Sequence, residues 1–138
     1  MTTKWAHLPN AKHIDRVLAD LRARPKVWTA AWTAARGDAL GGVWAAARDA
    51  ALYAIHGAAL DAAWDAVRDA AWGTAGGTAG GATGYAALDT AWGATRALVA
   101  WDDCSELLDL PPDAVRLLAM SGHHPAVMLY PAVLAFNT

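Results

Sequence analysis

From Trp28 to Val99 the chain can be written without a gap as eighteen four-residue units: WTAA WTAA RGDA LGGV WAAA RDAA LYAI HGAA LDAA WDAV RDAA WGTA GGTA GGAT GYAA LDTA WGAT RALV. The first position of each unit holds Trp, Arg, Leu, His or Gly and nothing else. Six of the eight tryptophans fall there (Trp28, Trp32, Trp44, Trp64, Trp72 and Trp92), together with Arg36, Arg48, Arg68 and Arg96. The second position collects Asp49, Asp61, Asp65, Asp69 and Asp89, while the third and fourth are mostly Ala. An internal repeat of this kind constrains architecture before any single residue does.

A helix turns about 100° per residue, so a step of four overshoots a full turn by about 40°. Supercoiling absorbs periods near 3.5 or 3.67, but not 4.0. One straight helix over the 72 residues would also be about 108 Å long. The repeat is therefore expected to be cut into several helices of three to five units. Each would carry its large side chains on a slanting row and Ala on the facing surface. Rows four residues apart are the ridges of the commonest helix-packing class. The expected fold is all-α, a bundle of closely packed, Ala-faced helices with short C-terminal helices. Residues four apart touch, so Trp32–Arg36, Trp44–Arg48, Trp64–Arg68 and Trp92–Arg96 read as four copies of one cation–π pair. Trp64, in the most regular part of the repeat, is expected in the core, with Trp64→Ala costing about 3–5 kcal/mol.

At 138 residues the chain reads as one domain in three parts. These are an N-terminal arm and helix over 1–25, tetrad helices over 26–100, and a helical cap over 101–138. Asn10 is the expected N-cap of a helix reaching about Arg24, with Ile14, Val17, Leu18 and Leu21 on its core face. Pro25 breaks that helix, and a second begins near Lys26 and weakens at Gly37. The next starts at Asp38 or just after Gly42 and runs with little interruption to Trp72, Gly57 being its weak point. The glycines between Thr74 and Gly84 favour a loop, although a grooved helix keeps the repeat register. The last repeat helix then covers Tyr85 to Ala100. Asp102 or Asp103 caps a short helix through Leu108. Pro111 and Pro112 open another that Gly122 ends, and a buried terminal helix kinks at Pro131.

The net charge of −2 and the absence of a basic tract argue against general nucleic-acid binding. No apolar leader is visible, and the terminal apolar run is too short to span a bilayer, so a cytoplasmic chain with no membrane contact is expected. Cys104 stands alone, which leaves no intrachain disulfide and no Cys-based zinc site. It reads as a buried small residue. His123 and His124 read as exposed turn residues rather than metal ligands, and His56 as a buried substitute for Trp or Leu. Asp61, Asp65 and Asp69 form a solvated acidic row. No phosphate loop, dinucleotide fingerprint, serine elbow or zinc-protease motif is present. The expectation is therefore no catalytic residues, no metal and no cofactor.

The tetrads, followed by Asp102-Asp103-Cys104, Leu110-Pro111-Pro112 and Pro131-Ala132-Val133, resemble a group of Trp/Ala-rich proteins of unassigned function encoded by bacteriophages of high-GC actinobacterial hosts. The resemblance covers Trp28 to Phe136, the tail being its more specific part. It implies a viral protein acting in the cytoplasm of the infected cell, where such proteins often bind a host factor or a defence signal; it implies no mechanism. Two functions follow, beside a third, an enzyme, for which only His56, Cys104 and the acidic row are candidates. The first is a non-enzymatic binding protein that sequesters a small anionic, nucleotide-like ligand or blocks a host protein. Indole rings would stack a base and arginines neutralise its phosphate. Trp44, Arg48, Trp92 and Arg96, which flank the glycine-rich stretch in sequence, are its candidate site. The second is a structural, self-assembling protein, a homo-oligomer joined through Ala and Trp helix faces.

Overall fold

The computed structural model describes residues 5–37, 43–52, 57–72 and 82–138, leaving aside the side chains at 52, 72 and 82–85. These residues form seven α-helices and no strand: α1 Ala11–Ala23, α2 Pro25–Ala35, α3 Trp44–Leu52, α4 Gly57–Trp72, α5 Ala82–Ala100, α6 Pro112–Met120 and α7 His124–Phe136. A 3₁₀ turn, Ser105–Asp109, joins α5 to α6. The tetrad window thus supplies four helices, α2 to α5, as the drift of a four-residue period demands.

The row that makes the core is the fourth position, the small residue just before each Trp or Arg. Ala31, Ala35, Ala47, Ala51, Ala59, Ala63, Val67, Ala71, Ala87, Ala91, Thr95 and Val99 are all buried. Among the described residues Val43, half-buried at the entry to α3, is the exception. The first-position row lies mostly at the margin: Trp32, Trp44, Leu60, Trp64, Trp92 and Arg96 are half-buried and Arg36, Arg48 and Arg68 exposed, while Trp28 and Leu88 are buried. Second-position Asp49, Asp61, Asp65, Asp69 and Asp89 face solvent.

Short helices keep the drifting row inside. Along α4, Ala59, Ala63, Val67 and Ala71 advance about 40° per step and sweep about 120° in all. By the end of the sweep, Ala70 points within about 20° of where Ala59 began, and it too is buried. A few more units would carry the row out to solvent.

Helix α5 is the hub, packed against α1, α2, α3, α4 and α7. Its buried surface includes Ala91, Gly93, Ala94, Thr95 and Ala97, and small residues let five neighbours approach. Thr90 is fully buried, and its Oγ1 donates to Trp28 O at 3.0 Å and Ala86 O at 3.1 Å. Helix α7 is buried almost throughout from Ala126 to Ala135, including Pro131. Trp28 is fully buried between them. It donates from Nε1 to Asp20 Oδ2 at 2.8 Å and meets the Phe136 ring edge-on at 5.3 Å.

Several local expectations change. Asn10 precedes α1, but its side chain makes no cap bond there. It is buried, and Nδ2 donates to Leu98 O at 3.0 Å and Trp101 O at 2.8 Å. It thereby satisfies carbonyls at the end of α5, which a helix leaves without partners. The N-terminal arm is anchored too: Trp5 and Leu8 are buried, and Trp5 Nε1 donates to Asp15 Oδ1 at 3.1 Å. The Ser105–Asp109 element is 3₁₀ rather than α, with Cys104 at its N-cap and no cap from Asp102 or Asp103. Gly122 takes φ 86° just after α6, the left-handed conformation that glycine adopts without strain. Helix α5 starts at Ala82, three residues ahead of the expected Tyr85. The stretches 38–42, 53–56 (with His56) and 73–81, most of the glycine-rich segment, lie outside the described residues.

Candidate functional site

The exposed edge of α5 carries Asp89, Trp92 and Arg96 in succession, one turn apart. Trp92 meets Trp64 of α4, ring centroids 4.9 Å apart and planes at 62°. Leu60 and Asp61, one turn before Trp64, share a groove of about 350 Å³ with Trp64, Trp92 and Arg96. The packing of α4 on α5 gives this arrangement, bringing first-position residues of the two helices to one groove.

Arg96 folds back over its own helix, its guanidinium carbon 4.6 Å from the Trp92 ring centroid. Its Nε is buried and has no hydrogen-bond partner among the described residues, and the same holds for Thr95 Oγ1 beside it. Burial, and then the charge of Arg48, push the Arg96 pKa down to about 10, against the pull of Asp49 and Asp89. The group stays charged at neutral pH but has lost water without gaining a carboxylate. Asp89 shows the converse: desolvation raises its pKa, offset by Arg36 and Arg96. Around this end of the groove, Arg36, Arg48 and Arg96 stand against Asp49 and Asp89, three positive charges to two negative. Asp61, which also lines the groove, brings the count to three of each sign.

No protein-family model, curated protein or solved structure matches the chain. The geometry of the groove alone carries its functional reading.

Of the four residues singled out from sequence, the structure brings Trp92 and Arg96 together and places Arg48 within electrostatic reach of Arg96. Trp44 packs elsewhere, edge-on to Trp32 at 4.9 Å and against Gly93. The four expected Trp–Arg stacks reduce to one among the described residues, Trp92–Arg96. Arg48 instead lies 3.8 Å from Asp49, and Arg68 bonds Asp65 at 3.0 Å. A neighbouring carboxylate draws the guanidinium off the indole. RALV is the one Arg tetrad with no Asp in it or in the unit before it. That local lack of acid was the signal for Arg96.

Trp64 was expected in the core and Asp61 in a solvated row; both line the groove. Finding them requires the pairing of α4 with α5, which no single-helix pattern contains. The other candidates are quiet. Cys104 is buried with Sγ 3.4 Å from Ala97 O, and burial, then Asp103, push its pKa up to about 12. His123 is exposed but caps α7, its Nδ1 accepting from Ala126 N at 3.3 Å, and His124 is half-buried rather than exposed. No group of three His, Cys, Asp or Glu among the described residues is arranged to hold a metal ion. None of the described helices is long and apolar enough to cross a membrane.

Proposed function

We propose that this chain is a non-enzymatic binding protein whose α4–α5 groove takes a planar aromatic anion of the nucleotide type. The observation that carries this reading is Arg96, a partly desolvated cation on an indole face that lines the groove and has no ion-pair partner among the described residues. The N–H groups of its guanidinium other than Nε–H are the donors for an anion in the groove, and a hydrogen bond between charged groups contributes about 1.5–3 kcal/mol. Trp64 and Trp92 offer the stacking surface, a contact worth about 1–3 kcal/mol per base. Arg48, itself 3.8 Å from Asp49, acts on Arg96 electrostatically and adds to the positive field there. Removal of a signal nucleotide suits the resemblance to small phage-encoded proteins acting in an infected cell, where blocking a host protein is the other role of this class. Self-assembly through Ala faces is less supported, because the Ala row is buried within one chain.

The test is a titration of cyclic and linear mononucleotides followed by Trp emission. Binding should quench emission and weaken with salt. Arg96→Ala should lower affinity about 10–100-fold, the loss of one or two charge-assisted bonds, without lowering the melting temperature. Arg96→Lys should retain part of the affinity. Absence of binding below millimolar across the panel refutes the reading.

A further inference from the structure

Asp61 is the groove residue that the proposed function leaves without a role. Its carboxylate makes no hydrogen bond or ion pair with the described residues, whereas Asp65 holds Arg68 and Asp49 holds Arg48. It stands on the α4 wall, one turn from Trp64, while Arg96 stands on the α5 wall beside Trp92. The groove is therefore lined by an acceptor-only group from α4 and a donor-only group from α5, together with two indoles. A ligand that fits must present hydrogen-bond donors on one side and negative charge on the other.

The orientation follows from charge. A phosphate beside Asp61 would be repelled, while Arg96, within electrostatic reach of Arg48, attracts one. The base edge is thus left to face Asp61. An ionised carboxylate accepts only, and its two oxygens take a pair of parallel donors. Among the common bases, guanine presents such a pair, N1–H and N2–H₂, on its pairing edge. Adenine offers one amino group next to an acceptor nitrogen, and cytosine likewise; uracil offers one N–H between two carbonyls. An acceptor nitrogen or carbonyl set against the Asp61 oxygens is repulsive and loses its water.

We infer that Asp61 selects guanine: the groove holds a guanine nucleotide with its N1–H and N2–H₂ donating to the Asp61 carboxylate and its phosphate toward Arg96 and Arg48. This rests on the nucleotide reading of the same groove and adds the identity of the base to it.

The experiment compares GMP, IMP and AMP on the wild-type chain by Trp emission and calorimetry. IMP keeps N1–H and lacks the 2-amino group, so it should bind roughly 10-fold more weakly than GMP, the loss of one bond to a charged acceptor. AMP should bind roughly 100-fold more weakly, since the carboxylate meets an acceptor. Asp61→Asn should reduce the GMP preference to within about threefold and shift it toward XMP, whose 2-carbonyl accepts from the new amide. That gain for XMP separates altered recognition from a damaged fold. If GMP, IMP and AMP bind wild type equally, or Asp61→Asn leaves their order unchanged, the guanine assignment falls and nucleotide binding stands. If none of the three binds, the nucleotide reading itself falls and takes the assignment with it.

Discussion

Gly93→Ala probes whether α5 lies as close to its neighbours as the small-residue packing requires. A methyl built at this position sits 2.5 Å from Trp44 Cη2 and 3.2 Å from Trp44 Cζ2, with Met128 O at 3.3 Å. Carbon atoms in contact rest at about 3.5–4.0 Å, so the indole edge must withdraw by roughly 1 Å. It does not move freely, because its ring is in edge contact with Trp32 at 4.9 Å. Overpacking costs about 1–3 kcal/mol, and an intrusion of this depth against a ring held on its other side falls in the upper part, about 2–3 kcal/mol. Replacing a helix-interior glycine by alanine contributes about 1 kcal/mol in the other direction. The expected net loss is about 1–2 kcal/mol, a fall in melting temperature of roughly 3–8 °C for a domain of this size. Gly57→Ala is the matched control, since an added methyl there meets nothing within 4 Å; it should gain up to about 1 kcal/mol. Urea unfolding followed by far-ultraviolet circular dichroism reads both without relying on the indoles. Adding Trp44→Leu should make the Gly93→Ala change milder than it is alone, a coupling expected of residues in contact. A Gly93→Ala chain as stable as the wild type would refute the close approach of α3 to α5.

The tryptophans should separate by position. Trp28→Ala, in a fully buried site with a bonded Nε1, should cost about 3–5 kcal/mol, whereas half-buried Trp64→Ala should cost about 1–2 kcal/mol; equal losses in denaturant melts would contradict the margin position of the first-position row. Asn10→Ala leaves two carbonyls of the α5 end without their donor and should cost about 2 kcal/mol, with hydrogen exchange speeding up near Trp101. Cys104, its pKa raised from 9.0 to about 12, carries about one part in 10⁴ of thiolate at pH 8, so a thiol reagent should modify it only after unfolding. Because the unfolded thiol releases its proton first, stability should fall as pH rises from about 9 toward 12, a slope that Cys104→Ala should remove.

The helical character of the tetrads was legible because they are rich in Ala and poor in β-branched residues, and the break into several helices follows from the drift of a four-residue period. Which row would face inward was less legible. Trp and Ala are both apolar, and side-chain volume favours the indole as core. Close packing around α5 decides otherwise: neighbours at that distance admit Ala63 and Ala91 but leave Trp64 and Trp92 at the margin. Trp28 is admitted because it lies where α2 meets the end of α7, beside Phe136. At the site, Trp92 and Arg96 were legible as local i,i+4 neighbours. Leu60 and Asp61 were not, since they join the groove only through tertiary pairing. Trp44 was misplaced because nothing in its own tetrad shows that Gly93 lies across from it.

The buried fourth-position row also sets how such a chain can lengthen or shorten in its descent. Gain or loss of one whole tetrad preserves the small-before-large order but rotates everything beyond it by about 40° and displaces it by about 6 Å along the axis. A change of one residue preserves less, since it turns the following row by about 100° and carries its alanines away from the hub. Whole-unit duplications are thus absorbed near helix ends, where few residues lie downstream before the next connection. Within α5, gripped on nearly every side, neither kind of change finds room. The repeat is a modular text in its outer helices and a fixed one at its centre.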